Sequence, residues 1–575
     1  MPSNVLEPFD TGSNYNFGDK MERPNAPRSA FNLSHNHITT IENAGSLIPV
    51  LLMETLPGDS LSLSVDSLIR VMPQVVPLYS RQRLYLYAFY SRCSDLWNHF
   101  QTFMTKGYAG TTVLEIPTLD WISSEATPSA PGNLYDYMGL PHGFDPTIGG
   151  INAMPFMMYL RIFRDYFMNR NYYIHDKRWL PDDDHDFMLD DMGHITSTPV
   201  EETPVAYQPR LGQLLYRDYA SDYFTSALPF PQRGDTPSLS LDPSSSLSGK
   251  IPLKDVDFTN RVLVDRHQII NDTISGFSKE YLNGNPIANQ VYATSPNASS
   301  PLAQVYRNSG MGVDLSQGSV NFTNLGFTLN QFRELAIAQR ELEKMARTNG
   351  SYGDFGLTFF GIRSRAASDY RPTFIGSAYQ SLVFSEVLQT SESTDPGSPL
   401  GTYGGHGISS TRDGNLGSVD CDDYGYIMVV ASIMPDTYYF QGIDKKFTRS
   451  LQSDMFLPER ARLGLIPILN RELFYSGNSS DEQMFAWQNP YDEYRYIPNR
   501  VSGLIADRNS LSFFPFTQAR KFDYLPTYSQ SFARADDVRK DFLAANEEVA
   551  YSAFFGFSIR GVRPLPYTPV PAQVI

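Results

Sequence analysis

Glycine and proline interrupt this chain so often that it must fold mainly from short elements joined by turns. The 575 residues include 40 glycines and 40 prolines, and both residue types favour turns and loops over helix interiors. Short apolar or alternating segments lie between these residues. The pattern predicts a mainly β protein with long loops and a few helices.

Four segments have the patterns of strands. Leu61, Leu63 and Val65 alternate with serines, which is typical of a strand with one buried face. Three further segments are apolar or aromatic runs of strand length, namely 46–52, 84–90 and 426–433. Two other segments carry apolar residues at helical spacing, over 154–171 and from Thr328 to about 349.

The composition limits the classes of protein that this chain can belong to. It has 46 basic and 62 acidic residues and a net charge of −16, which argues against a general nucleic-acid-binding protein but permits a local basic patch. Its 2 cysteines cannot form a disulfide framework or a cysteine-rich metal site. We find no signal peptide, and no apolar run is long enough to span a membrane.

Changes in composition predict four regions. Residues 1–35 are polar and contain prolines, so they are expected to form an extended N-terminal arm that another surface must order. Residues 36–234 and 326–575 carry most of the strand patterns, and we expect them to form the first and second parts of the main fold. Residues 235–325 include a serine-rich, nearly uncharged stretch, which is typical of an inserted surface segment.

Motifs for catalysis and metal binding are weak. A run of acidic residues could bind a hard cation through oxygen atoms, and its candidate ligands are Asp182, Asp183, Asp184 and Asp186. Because the run lacks the glycine and the spacing of an EF-hand, a solvated acidic loop is the favoured interpretation. Asp354-Phe-Gly lacks the other kinase motifs. We therefore expect no catalytic residues, no enzyme activity and no cofactor.

Basic residues form four small clusters along the chain, at Arg81/Arg83, Lys177/Arg178, Lys445/Lys446/Arg449 and Arg520/Lys521. In the third cluster Phe447 lies between the cations. Positive charge combined with an aromatic ring can hold single-stranded nucleic acid, so Lys445, Lys446, Phe447 and Arg449 are the candidate contact residues. For each cluster taken alone, salt-bridged surface or contact between subunits is the favoured interpretation.

Several segments resemble motifs of one family, in the same order along the chain. They are 28–35 (RSAFNLSH), 45–49 (GSLIP), 54–59 (ETLPGD), 152–156 (NAMPF), 222–232 (DYFTSALPFPQ), 491–498 (YDEYRYIP) and 562–566 (VRPLP). Together they resemble the major capsid proteins of the Microviridae, particularly the gokushovirus branch. The sequence departs from the family pattern at Phe230, where the family often has tryptophan, and over 505–550.

The resemblance implies an eight-stranded antiparallel jelly roll of the viral capsid type, with long loop insertions. It also implies a homo-oligomer, with pentamers that close into a T=1 icosahedral shell around a circular single-stranded DNA genome. Residues 235–325 lie where gokushoviruses carry a surface protrusion, which would attach to a host receptor. Because the chain is acidic, we expect a small basic virion protein to neutralise much of the DNA. The chain would be made in the cytoplasm of a bacterial host and located in the virion capsid.

Two other classes of protein fit a β-rich chain with many loops and tyrosines. One is a glycosidase with two carboxylates flanking a cleft, which the presence of only 4 tryptophans makes less attractive. The other is a carbohydrate-binding module. Particle formation distinguishes the capsid protein from both, because the alternatives stay small.

Overall fold

The computed structural model of the chain describes residues 28–107, 109–119, 129–145, 150–172, 213–235, 237, 329–348, 352–362, 370–385, 406–462, 464–510, 512–544 and 549–567. The chain divides into two compact units. One unit comprises residues 1–235 and 340–575, and the other comprises residues 236–339. In the second unit, the described residues are 237 and the part of one helix that precedes Arg340.

Strands dominate the first unit. They are β1 (Ser29–Asn32), β2 (His35–Ile41), β3 (Ile48–Thr55), β4 (Ser60–Val71), β5 (Gln82–Arg92), β6 (Thr373–Ser385), β7 (His406–Asp420), β8 (Gly425–Pro435), β9 (Ile466–Leu469), β10 (Met484–Gln488) and β11 (Tyr551–Arg563).

The helices are mostly short. They are α1 (Cys93–Leu96), α2 (Phe100–Thr105), α3 (Leu134–Tyr137), α4 (Met154–Ile162), α5 (Leu329–Ala346), α6 (Tyr352–Phe360), α7 (Asn470–Leu473) and α8 (Gln530–Ala533). A π-helix, Phe163–Phe167, continues α4. Single 3-10 turns lie at Arg170–Tyr172, Lys445–Phe447, Gln452–Asp454, Arg460–Arg462, Ser479–Glu482, Asp492–Tyr494, Gly503–Ala506 and Phe514–Phe516.

The main sheet curls into two facing halves. Its strand order is β1-β11-β4-β7-β6-β5-β8-β3, and β2 also pairs with β11. Since β1 and β2 pair with consecutive parts of β11, together they occupy a single position, and the sheet has eight positions. Every pairing in it is antiparallel. The predicted mainly β, antiparallel jelly-roll fold is confirmed.

The two halves of the sheet are joined by a short ladder of paired residues between β6 and β7, and they enclose one core. β6 joins β7 through three residue pairs, from Val383–Ile408 to Ser385–His406. Apolar side chains from both halves form the core between them. On β4 the predicted alternation of Leu61, Leu63 and Val65 with serines holds, because these three side chains point inward and the serines between them outward. Farther along the strand the residue types change places, since Ser67 is buried and Leu68 lies on the other face.

β8 is buried along its whole length because both of its faces are covered. Ile427 and Val429 point into the core between the two halves. Met428 and Val430 point to the opposite face, where they pack against α1 and α4. The long insertion between β5 and β6 therefore covers the outside of this half of the sheet.

Both predicted helices are present. The first consists of α4 and the π-helix, and it ends at Met168, whose backbone is extended. The second corresponds to α5. Among the described residues, no helix is both long and apolar enough to cross a membrane.

Within the predicted arm, Ser29–Asn32 pairs with the last strand, β11; residues 1–27 lie outside the described residues. The predicted segment 235–325 lies outside them too, apart from residues 235 and 237.

Candidate nucleic-acid interface

A cleft of about 770 Å³ opens in the insertion between β8 and β11. All four residues predicted to contact nucleic acid line it. Many of its other side chains are aromatic, and together with Phe447 they are Tyr223, Phe224, Tyr439, Phe440, Tyr494 and Tyr496. Two of the sequence motifs described above, 222–232 and 491–498, contribute residues to its walls.

Asp222 fixes the first wall. One of its carboxylate oxygens accepts hydrogen bonds from the backbone N–H groups of Phe224 (2.9 Å) and Thr225 (2.8 Å). The other accepts from the hydroxyls of Thr437 (2.8 Å) and Tyr439 (2.7 Å). This buried carboxylate therefore ties the turn that carries Phe224 to the segment that carries Tyr439.

Tyr223 and Glu472 form a second buried contact beside the cleft. The Tyr223 hydroxyl donates to Glu472 Oε2 at 2.8 Å and accepts from Gln488 Nε2 at 2.6 Å. Burial raises the pKa of the Glu472 carboxyl, against the lowering effect of Lys445 and the hydrogen bonds that it accepts. Gly442 lies against the backbone of Glu472, and a Cβ atom there would lie 1.9 Å from the Glu472 carbonyl oxygen, so the packing requires glycine.

The motif 491–498 forms the second wall. Tyr491 has a left-handed backbone (φ 64°) at the start of the 3-10 turn Asp492–Tyr494. This turn presents Glu493 to two of the predicted cations. Arg449 Nη2 lies 2.9 Å from Glu493 Oε1, and Lys445 Nζ lies 3.9 Å from Oε2. The Arg449 guanidinium also lies 4.5 Å from the centre of the Tyr494 ring.

The other two predicted residues face outward. Phe447 is 69% exposed. Lys446 Nζ lies 5.1 Å from the centre of its ring and 2.6 Å from Asp444 Oδ2. The structure thus separates the predicted cluster into Lys445 and Arg449, which are held by Glu493, and Lys446 with Phe447, which stand at the rim.

Arg500 is a cation of the cleft that the sequence reasoning missed. It is exposed and lines the cleft, and none of the ion pairs within the described parts of the chain includes it. It follows the motif 491–498 by two residues. A basic residue next to a motif with three tyrosines is the signal that could have identified it.

The remaining basic clusters have other surroundings. Arg520 is buried, pairs with Asp537 at 3.1 Å, and lies against three aromatic rings. Lys521 is 3.4 Å from Asp523. Lys177, Arg178 and the candidate cation ligands Asp182, Asp183, Asp184 and Asp186 lie outside the described residues. Within the described part of the chain, no group of three or more histidine, cysteine or acidic side chains is arranged to hold a metal ion.

The cleft combines aromatic walls with cations at its rim. Aromatic faces stack on the bases of a single strand, and cations attract its phosphates. Its geometry therefore suits a flexible anionic chain that carries flat rings.

Comparison with known proteins decides the family. The model of the family described as "Capsid protein (F protein)" matches residues 20–573. The chain belongs to this family of capsid proteins.

Three phage proteins are similar to this capsid protein over nearly its whole length. Capsid protein VP1 of Chlamydia phage 1 is 27% identical, VP1 of Bdellovibrio phage phiMH2K is 26% identical, and VP1 of Spiroplasma virus 4 is 24% identical. Each match covers 95% of both chains. The predicted Microviridae family is confirmed, and membership implies a structural role in an oligomeric virion shell.

Proposed function

We propose that this capsid protein forms pentamers that close into a T=1 icosahedral shell around a circular single-stranded DNA genome. The observation that carries the proposal is the family match over 20–573 on a chain with jelly-roll strand order. A jelly roll is a common building block of viral shells. The shell places the protein in the virion, after synthesis in the cytoplasm of a bacterial host, and requires no enzyme activity and no cofactor.

The cleft in the insertion between β8 and β11 is the proposed site of contact with DNA. Phe447 and Tyr494 supply exposed ring faces, and Lys446 and Arg500 supply charge at the rim. Neither ring stacking nor phosphate contact reads base identity, so binding is expected to be insensitive to sequence and to weaken steeply with salt. Lys445 and Arg449 are paired with Glu493, so their proposed role is to hold the wall of the cleft in place and not to contact the DNA.

The small number of cations at the cleft indicates that another component must neutralise most of the charge of the DNA. A chain with net charge −16 cannot neutralise a packed genome, so a small basic virion protein is proposed to do so. Segment 235–325 is proposed as the protrusion that meets a host receptor. The arm is proposed to contact a neighbouring subunit or the inner wall through the residues that precede β1, because Ser29–Asn32 pairs with β11 of the same chain.

Genome retention in purified, nuclease-treated particles tests the role of the cleft. Lys446→Gln combined with Phe447→Ala and Arg500→Gln should lower the DNA content per particle without altering subunit stability. Phe447→Tyr, which keeps a ring, should retain the DNA. Lys521→Gln is the matched control, because Lys521 is also paired with a neighbouring aspartate but lies outside the cleft. Unchanged DNA content in the triple variant would place the contact elsewhere.

A further inference from the structure

We propose that a second surface, on the outer face of β5 and β6, binds single-stranded nucleic acid and extends the path that begins in the cleft. We call it the tyrosine platform; it comprises Arg81, Arg83, Tyr85 and Tyr379. The inference rests on the proposed function in one respect, since the ligand is the same single strand. The experiment below separates failure of the platform from failure of the cleft.

Two tyrosines lie side by side on adjacent strands of this face. Tyr85 of β5 and Tyr379 of β6 are direct partners in the antiparallel register. Leu84 and Leu86, on either side of Tyr85, point into the core, and Ala378, next to Tyr379, packs against it, so both tyrosines point away from the core. Tyr379 is 73% exposed. Tyr85 is half-buried, so Tyr379 offers the open ring face. An exposed aromatic ring on a sheet is the feature on which RNA-binding sheets stack bases.

Arg217 holds the tyrosines of β5 in place. Its guanidinium lies 5.2 Å from the centre of the Tyr85 ring and 5.7 Å from that of Tyr87, and Nη1 donates to the Tyr87 hydroxyl at 3.2 Å. The Tyr85 and Tyr87 rings are nearly parallel, with centres 6.0 Å apart. Rings that are already ordered lose little conformational entropy when a base stacks on them.

Cations flank the rings on the side where the strand begins. Arg83 is partly exposed and lies 3.1 Å from Asp436. Arg81 is exposed, and no ion pair within the described ranges includes it. On a chain with a surplus of acidic residues, a surface with more arginines than carboxylates favours an anionic ligand.

A short segment connects the platform with the cleft. The backbone N–H of Asp436 donates to the Arg81 carbonyl at 2.9 Å, and the carboxylate of Asp436 pairs with Arg83. Three residues later, Tyr439 lines the cleft. Three residues span at most about 11 Å of extended backbone, so we infer that one single strand contacts both surfaces.

Binding of fluorescent oligothymidylate to the full-length chain tests the platform. Tyr379→Ala should weaken binding about 5- to 150-fold, the loss typical of one stacked base, and Tyr379→Phe should restore it. Arg81→Gln should reduce the slope of log K against log salt concentration by about 0.7, the value for one phosphate contact on a single strand. Val383→Ala is the matched control, because Val383 lies on the same strand and is 62% exposed but has no ring.

The outcomes separate three possibilities. Loss of affinity in both Tyr379→Ala and Phe447→Ala supports one continuous path. Loss of affinity in Phe447→Ala alone supports the cleft and overturns the platform. Loss of affinity in Tyr379→Ala alone supports the platform and overturns the cleft. If Tyr379→Ala and Val383→Ala both impair particle assembly at unchanged oligonucleotide affinity, the face is a contact between subunits and the platform is wrong. No binding by the unchanged chain overturns both nucleic-acid sites.

Discussion

Arg563 Nε lies 3.0 Å from Asp59 Oδ2, across a separation of 504 residues. The Asp59 side chain is fully buried, and that of Arg563 is 16% exposed. The same Asp59 oxygen accepts a hydrogen bond from the Leu56 backbone N–H at 2.9 Å. The ion pair therefore fastens the end of β11 to the turn between β3 and β4.

Arg563→Gln should lower the free energy of unfolding by about 3–5 kcal/mol, because it leaves the buried Asp59 carboxylate without its cation. Urea denaturation of the full chain measures this loss. Arg560→Gln is the control, since Arg560 is exposed on the same strand and should change stability by no more than about 0.5 kcal/mol. Equal losses in the two variants would contradict a structural role for the pair.

The strands illustrate what the sequence could predict. β4 and β8 were identifiable because burial imposes a period of two on one and a continuous apolar run on the other. The pairing of β11 with β4 joins residues almost 500 positions apart, and no local pattern encodes it. The sequence could predict the jelly-roll order only because the ordered motifs resemble a known family.

The cleft shows the same limit. Lys445, Lys446, Phe447 and Arg449 were found as a local cluster of charge and ring. Glu493, which holds two of these cations, is more than 40 residues away along the chain, so local reasoning could not separate cations that are paired inside the wall from those at the rim.

Arg449→Gln should destabilise the chain by roughly 2–4 kcal/mol, because it removes the closest cation of the half-buried Glu493 carboxylate. Lys446→Gln, at an exposed ion pair, should cost no more than about 0.5 kcal/mol. Thermal or urea unfolding of both variants measures the difference. Similar losses of stability in the two variants would contradict the conclusion that Glu493 holds Arg449 in the wall while Lys446 stands at the rim.

The stability of the chain should depend on pH through Asp95. Burial raises the pKa of this carboxyl from 3.8 to about 6, against the lowering effects of Arg92 and Arg161. The folded state therefore binds the proton more tightly than the unfolded state. The stability contributed by this group is present below about pH 4 and is lost as the pH rises through 6.

The Asp95→Asn variant has no carboxyl group at this position, so it should not show this loss of stability as the pH rises. The difference in free energy of unfolding, variant minus unchanged chain, should increase by at most about 3 kcal/mol between about pH 4 and pH 7.5. Urea denaturation at the two pH values measures the gain. A difference between the two proteins that does not vary with pH would contradict the assignment.

Replacing residues 237–320 with a short Gly-Ser linker should preserve the fold of the jelly roll. The backbone N–H of Arg233 donates to the Leu342 carbonyl at 3.3 Å, and its side chain donates to the Thr348 carbonyl at 3.2 Å, so the chain that precedes the segment is held by contacts to residues outside it. The entropic cost of closing a loop depends only weakly on its length. Circular dichroism and urea denaturation should match those of the unchanged chain, while infectivity falls; an unfolded subunit would remove the protrusion proposal.

Cryo-electron microscopy of particles assembled from the full chain tests the central claim most directly. We predict closed icosahedral shells of one size, with T=1 symmetry, pentamers of jelly rolls, and nucleic-acid density in the cleft at Phe447 on the inner surface. Chains that remain small under assembly conditions, or shells in which this cleft opens to the outside, would contradict this prediction.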